Sequence, residues 1–249
     1  MNHPIPKLGS VKAPSEISEK FLDAYSHIAL PIVAQSNLSS KKDVDGIAIE
    51  ISQKSIKNLE KNFEISFSEE IRKATTTPNA KAGNIIEIPV MSRSKNEVVR
   101  ILLVGVGERS ENDIRKAGAA IGRKVKGTNS SLLSFMCKNE SEVQIAQIAS
   151  GLACYFWNQK SAEKPDTPSF IVVGDYSEVI KKASILLSVT WKTRDLIHTP
   201  SNIKTPEWMA VQAKKLAKSP QLKVKVRSGK EIQEFGGLRA VGKIGRAHV

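Results

Sequence analysis

The feature that most constrains the fold is a regular alternation of two kinds of segment between residues 84 and 198. Short β-branched apolar runs at 84–91, 98–107, 131–137 and 169–174 alternate with longer stretches of helical periodicity. Strands that alternate with helices in this way form βαβ units with right-handed crossovers. The sequence therefore predicts an α/β fold with a mixed, largely parallel sheet flanked by helices.

Capping residues predict where the helices begin. Ser110 opens a helix after the second run, and Ser141 opens another after the third. A long helix from Tyr176 must end near His198, because the turn "HTPSNIKTPEW" follows with two prolines. Thr205, followed by a proline and an acid, caps a further helix. We place a domain boundary at this turn.

Outside the alternation the signals are weaker. Residues 1–14 contain three prolines and little apolar content, which predicts a disordered lead-in. The segments 29–35 and 45–51 are short and apolar, and we expect them to form a hairpin. Beyond the boundary, we expect strands at 222–226 and at 236–243, separated by a small helix.

The net charge of +13 has two interpretations. A nucleic acid or an anionic membrane surface attracts a basic protein, because contacts from Lys and Arg to phosphate dominate such binding. Here the lysines are scattered, acids lie between them, and no aromatic residues interleave for base stacking. A solvated lysine-rich surface is therefore favoured, and nucleic-acid binding by a basic or regulatory N-terminal α/β domain stays open as an alternative.

The few cysteines and histidines do not form a metal motif. Cys137 and Cys154 each lie in an apolar stretch, which is typical of buried thiols in a reducing cytoplasm. The histidines are far apart along the chain: His3, His27, His198 and His248. No secretion signal is recognisable, and no apolar stretch approaches the ~20 residues that span a bilayer. We predict a cytoplasmic protein with no membrane partner.

One short segment resembles a phosphate-binding loop. In "VGVGERS", Gly105 and Gly107 follow a strand and precede a helix whose N-terminus attracts anions. Ser110 stands where the dinucleotide fingerprint has its third glycine, so the match is poor. A tight strand-to-helix turn needs the same two glycines, and this interpretation is favoured over a nucleotide or ADP-ribose site.

Other arrangements that carry chemistry are also weak. Asp43 and Asp45 form a carboxylate pair able to hold a cation, but they are more typical of a turn that precedes a strand. His198 has no serine or cysteine in a strained turn beside it. Composition and spacing alone therefore show an α/β protein without a visible active site.

The residues of the junction carry a resemblance to a known family. The segment "RDLIHTPSNIKTPEWMAVQAKKLA" (194–217) is similar to the domain junction of the leucyl aminopeptidases, also called cytosol aminopeptidases. The residues that agree with the family's pattern are Arg194, Asp195, Leu196, Thr199, Pro200, Asn202, Thr205 and Pro206. The segments 98–127, 149–165 and 224–243 resemble the family in order. His198 stands where the family usually has Asn, and Arg239 stands at a usually apolar position.

The resemblance covers roughly residues 30–243 and is strongest from 186 onward. It implies a macro-domain-like N-terminal α/β domain at 15–198 and the beginning of a catalytic domain at 199–243. Members of the family hold two divalent metals, usually zinc or manganese, between carboxylates and a lysine, and remove N-terminal residues from peptides. Those motifs lie beyond Lys243, so we predict no catalytic, metal or cofactor-binding residue in this chain and no activity of its own.

The resemblance also implies a homo-hexamer whose contacts involve the catalytic domain. We therefore expect this chain to be monomeric or poorly behaved. The last six residues, "IGRAHV" (244–249), fit no position of the family and match a translated frame of a common sequencing adapter. We expect residues 244–249 to be a sequencing or assembly artefact, and we assign no role to Arg246 or His248.

Overall fold

A computed structural model describes residues 4–34, 46–73, 79–92, 94–158, 164–217 and 222–246 of the chain. The chain divides into two compact units, Met1–Leu196 and Ile197–Val249. The strands of the first unit are β1 (Lys7–Val11), β2 (His27–Ala34), β3 (Ile47–Ile49), β4 (Ile85–Ser92), β5 (Glu97–Gly105), β6 (Ser131–Ser134) and β7 (Ser169–Val173). Its helices are α1 (Glu19–Leu22), α2 (Gln53–Phe63), α3 (Phe67–Lys73), α4 (Glu111–Lys124), α5 (Glu140–Ala153) and α6 (Ser177–His198), the last of which ends just inside the second unit.

The seven strands form one sheet with the order β1-β7-β6-β2-β5-β4, and β3 pairs with β2. In this order, the strands β1, β7, β6, β2 and β5 all run parallel to their neighbours. Strand β3 is antiparallel to β2, and β4 is antiparallel to β5. Consecutive residues of β5, Ile101 to Val104, are fully buried, as expected of a central strand covered on both faces. The predicted mixed, largely parallel sheet is confirmed.

Helices cover both faces of the sheet. Ile101 and Leu103 point into a core that contains buried residues of α1, α2 and α3, such as Leu59 of α2. Their neighbours Leu102 and Val104 point into a second core with residues of α4, α5 and α6. Because side chains alternate along a strand, the aliphatic run of β5 supplies both cores at once.

Small residues bring α4 and α5 unusually close together. A Cβ atom on Gly122 would lie 2.2 Å from the carbonyl oxygen of Ser150, and one on Gly118 would lie 2.6 Å from that of Ala146. The Ser150 hydroxyl donates a hydrogen bond of 2.9 Å to the Gly118 carbonyl. The two backbones therefore pack directly against each other at these positions.

One edge of the sheet is formed by β4. Its Pro89 lies opposite Arg100 of β5. The Arg100 backbone N–H donates to the Ser26 carbonyl on the side of β2, at 3.0 Å. The backbone of Arg100 therefore faces away from β4, and the nitrogen of Pro89 faces the open edge of the sheet.

The structure corrects two predictions in the first unit. The disordered lead-in predicted at 1–14 is corrected from residue 4 onward, where the chain is described, because Lys7–Val11 form β1 and pair in parallel with Ser169–Val173. The helix predicted to start at Ser141 is capped instead by Asn139, whose side chain accepts from the Glu142 N–H. The predicted hairpin is confirmed by β2 and β3, and its turn lies outside the described residues.

The second unit begins as expected and then departs from the prediction. Helix α7 (Pro206–Leu216) has Thr205 as its N-cap, with the Thr205 hydroxyl accepting from the Trp208 N–H. The described residues from 222 onward contain no strand: a 3-10 helix at Gly229–Glu234 is followed by α8 (Gly236–Arg246). The strands predicted at 222–226 and 236–243 were therefore wrong. A strand needs a partner for its backbone bonds, whereas a helix satisfies its own.

Candidate functional site

In doubly wound sheets, ligands bind where the parallel strands end. In this protein that edge holds a cluster of charged side chains from segments far apart in sequence. Arg109 follows β5, Glu50 follows β3, Lys138 follows β6, and Glu142 lies in the first turn of α5. We call these four residues the edge cluster.

Arg109 lies at the centre of the edge cluster, with a left-handed backbone conformation (φ 58°). Its Nη1 donates to Glu50 Oε2 at 2.6 Å. Its Nε and Nη2 donate to the two carboxylate oxygens of Glu142, at 3.1 and 2.5 Å. Nη2 also donates to the Met136 carbonyl at 2.7 Å. The guanidinium thus binds one carboxylate in the bidentate geometry that arginine favours and a second carboxylate beside it.

The backbone holds both carboxylates in place. The Glu50 N–H donates to the Pro31 carbonyl at 2.9 Å, which ties the residue after β3 to the neighbouring strand β2. Lys138 uses its Nζ to bind Glu50 Oε1 and its backbone N–H to bind Glu142 Oε2. The edge cluster therefore contains two cations and two anions, all paired with one another.

The surroundings of Arg109 and of the two cysteines raise their pKa values. Burial disfavours the guanidinium, but the hydrogen bond and charge of Glu142, together with Glu50, raise the pKa of Arg109 above its ordinary value. Burial raises the pKa of the Cys137 thiol to about 12 and that of Cys154 to about 11. A thiol acts as a nucleophile only as the thiolate, so both cysteines are inert at neutral pH.

The two glycines of the phosphate-loop alternative are used by the protein itself. The Gly105 N–H donates to the Asn84 carbonyl at 2.8 Å, and the Gly107 N–H donates to the Ala80 carbonyl at 2.9 Å. A Cβ atom on Gly105 would lie 2.2 Å from the Lys81 carbonyl oxygen. These two amides are already bonded within the protein, which supports the favoured interpretation of a tight turn packed against residues 79–84.

The structure does not bring the other candidate residues together in one site. Asp43 and Asp45 lie outside the described residues. His198 is the last residue of α6, and His27 begins β2. Within the described ranges, no group of three or more His, Cys, Asp and Glu side chains has the geometry of a metal site. No helix among the described residues is both long and apolar enough to span a membrane.

A polar cavity lies at the opposite edge of the sheet, where β2, β5 and β6 begin. Its volume is about 220 Å³, and its lining includes Asp23, Tyr25, Lys95 and Asn129. The Asp23 carboxylate accepts hydrogen bonds from the hydroxyls of Ser92 and Ser94, and so is already partnered. Sequence reasoning missed both this cavity and the edge cluster, because the contributing residues are spread over the whole first unit.

The fold places the first unit in the class of three-layer α/β domains. At the edge where ligands bind in such sheets, this protein has the edge cluster. Residues 52–161 match the sequence model of the cytosol aminopeptidase family, N-terminal domain. This part of the chain is therefore similar to the N-terminal domain of the cytosol aminopeptidases, which supports the family predicted from the junction residues.

Individual relatives agree with this assignment. A probable cytosol aminopeptidase of Aquifex aeolicus is 27% identical over 177 residues, which cover 66% of this chain and 35% of the relative. A solved tomato leucine aminopeptidase variant has the same fold, with a TM-score of 0.69 and 16% identity over 94% of this chain and 46% of that one. The bottromycin maturation enzyme BotP in complex with Mn has a TM-score of 0.56 and 20% identity, over 69% of this chain and 37% of its own. The chain thus spans about a third of the length of the curated relatives it matches.

Proposed function

We propose that this chain is the N-terminal part of a cytoplasmic aminopeptidase that removes N-terminal amino acids, often leucine, from peptides. The observation that carries the proposal is the match of residues 52–161 to the N-terminal domain of the cytosol aminopeptidases. In this proposal the first unit is a non-catalytic domain, and residues 199–243 begin the catalytic one. We also propose that the parent enzyme assembles as a homo-hexamer.

The exposed apolar side chains of the second unit support this proposal. Met209, Val211 and Leu216 of α7 are each exposed by nearly half, whereas Leu222 is 53% exposed and Val224 39%. Apolar residues at this density normally pack into a domain. Their exposure fits a segment that packs against a further part of the protein. In the relatives, that part is the two thirds of the sequence that this chain does not span.

The described residues of this chain do not fit the metal centre that the family implies. Two-metal hydrolases need several carboxylate ligands around each pair of ions. The described residues bring no such set together, and the carboxylates of the edge cluster are already bound to Arg109 and Lys138. We therefore propose that two divalent ions, manganese or zinc, bind only in the parent, and we derive no catalytic step from this chain.

Genomic DNA tests the proposal directly. Independent libraries should show a reading frame that continues beyond codon 243 with acidic and lysine-containing metal motifs. The longer product should hydrolyse leucine p-nitroanilide with Mn²⁺ or Zn²⁺ and lose the activity on addition of a chelator. The 249-residue chain is the matched control and should show no chelator-sensitive activity. A stop codon directly after codon 249 in every library would contradict the proposal.

A second candidate function rests on the charge distribution. Residues 197–243 contain 10 of the 38 Lys and Arg residues but only three of the 25 Asp and Glu residues. Lys223, Lys225 and Arg227 are exposed and alternate along one short segment. We propose nucleic-acid binding as the alternative, because a concentrated basic segment attracts phosphates.

Gel shifts across a salt series test the alternative. Binding driven by phosphate contacts should weaken steeply as salt rises, and a triple change of Lys223, Lys225 and Arg227 to Gln should flatten that dependence. The matched control changes Lys181, Lys182 and Lys192 of α6 to Gln. An absence of binding at low salt, or an equal loss in both variants, would rule out this segment as the nucleic-acid site.

A further inference from the structure

The last turns of α5 and α6 are fastened together by directional contacts. The Tyr155 hydroxyl donates to Asp195 Oδ1 at 3.0 Å. The Arg194 Nη1 donates to the Leu152 carbonyl at 3.1 Å, and its guanidinium lies 5.2 Å from the centre of the Tyr155 ring. Trp191 meets the same ring edge-on, with 5.2 Å between ring centres. Tyr155 therefore contacts three side chains of α6, which belong to Trp191, Arg194 and Asp195.

These contacts do more than bury apolar surface. Trp191 is almost fully buried and also donates its Nε1–H to the Gly151 carbonyl at 3.2 Å, so it already attaches α6 to α5. Arg194 and Asp195 are only partly buried, and they add polar bonds one turn further along the helix. Apolar contacts tolerate a small rotation of a helix about its axis, whereas hydrogen bonds and a cation–π contact fix its angle.

The Tyr155 hydroxyl is suited to act as a hydrogen-bond donor. Burial raises its pKa, and the hydrogen bond to Asp195 raises it further. The hydroxyl therefore keeps its proton at neutral pH and is available as a hydrogen-bond donor.

We propose that Tyr155, Arg194 and Asp195 form a positioning clamp that fixes the rotation of the last turn of α6. Arg194 and Asp195 are the first two residues of the junction segment, and neither touches a reacting group in this chain. The clamp sets the direction in which the backbone leaves the first unit after Leu196. Its importance for catalysis in a parent enzyme rests on the proposed function; its action on α6 does not.

Hydrogen exchange in the 249-residue chain tests the clamp. Tyr155→Phe removes the hydroxyl and keeps the ring, so the stacking of Arg194 and Trp191 remains. Because a hydrogen bond to a charged group is worth more than a neutral one, amides at 196–198 should exchange about tenfold faster or more. Tyr176→Phe is the matched control, since the Tyr176 hydroxyl makes no hydrogen bond to another described residue.

The slowest amides of the central strands distinguish positioning from general stabilisation. The clamp predicts that these amides keep their protection in Tyr155→Phe while the last turn of α6 loses it. Asp195→Ala removes the acceptor and should give at least a similar local effect, and adding Tyr155→Phe to it should change little, because the hydrogen bond between the two side chains is already lost. Unchanged exchange at 196–198, or an equal loss across the whole domain, would overturn the proposal. Since the measurement needs no catalytic activity, its failure and that of the proposed function are separate results.

Discussion

The two units differ in packing although both contain well-capped helices. Residues 4–196 contain two large apolar cores, one on each face of the sheet. Among the residues of 197–241 whose burial the structure describes, only Thr199 is buried. Helix α7 has a threonine cap, a proline in its first turn and basic residues in its last, yet it has no buried residue. Local capping signals are therefore sufficient to form a helix, whereas an apolar core also requires other elements that pack against that helix.

The largest expected difference between the two units comes from removing one tryptophan from each. Trp191→Ala should lower the free energy of unfolding by about 3–5 kcal/mol, because it leaves a cavity in a closed core and removes the hydrogen bond from the indole N–H to the Gly151 carbonyl. Trp208→Ala, in α7, should change it by less than about 1 kcal/mol. Urea titrations measure both values. Equal losses would show that the second unit is part of the same cooperative core.

Ion pairs offer a second comparison, with a smaller expected effect. Glu142→Ala leaves the enclosed Arg109 guanidinium without its bidentate partner and should cost about 3 kcal/mol. Glu234→Ala removes the partner of Arg227 in a largely exposed pair and should cost about 0.5 kcal/mol or less. The measurement is again the shift of the urea midpoint. A cost below 1 kcal/mol for Glu142→Ala would show that the edge cluster does not stabilise the fold.

Glycine-to-alanine substitutions test how closely the helix backbones pack in each unit. Gly122→Ala forces a methyl group against the Ser150 carbonyl and should cost about 1–3 kcal/mol, despite the better helix propensity of alanine. Gly237→Ala, where a Cβ atom meets nothing within 4 Å, should be neutral or slightly stabilising. Thermal unfolding of the two variants checks the opposite signs. A destabilising Gly237→Ala would reveal packing around α8.

The smallest expected effect is a pH dependence that belongs to the first unit. Burial, followed by the charge of Arg100, lowers the pKa of His27 in the folded state. Below the ordinary histidine pKa of about 6.5, the unfolded chain binds a proton that the folded chain resists. The free energy of unfolding should therefore fall as the pH drops below about 6.5. His27→Gln should reduce this slope, and an unchanged slope would show that His27 does not cause it.

Much of the first unit could be predicted from the sequence because its signals are local. The Ser110 cap and the helical period of 177–198 depend on neighbours within a few residues, and both are confirmed. Strand β1 was missed because it is defined by its pairing with β7, more than 150 residues away in sequence. The strands predicted at 222–226 and 236–243 failed for the same physical reason: the described residues supply no partner for them.

The edge cluster was beyond sequence reasoning as well. Arg109 lies 33 residues from Glu142 and 59 from Glu50, and only the strand order brings them together. The glycine pair before Arg109 was noticed, and the favoured interpretation of a tight turn is supported. The family was recognised from residues 194–217, whereas the sequence model matches 52–161, because that model describes the N-terminal domain alone.

The position of Pro89 has a consequence for how the protein behaves at high concentration. An exposed edge strand offers a row of backbone N–H groups to any other extended chain. Pro89 interrupts that row in the middle of β4, because its nitrogen carries no hydrogen and faces the open edge. A second molecule cannot extend the sheet across this gap with continuous pairing. The proline thus protects the protein from forming intermolecular sheets along that edge.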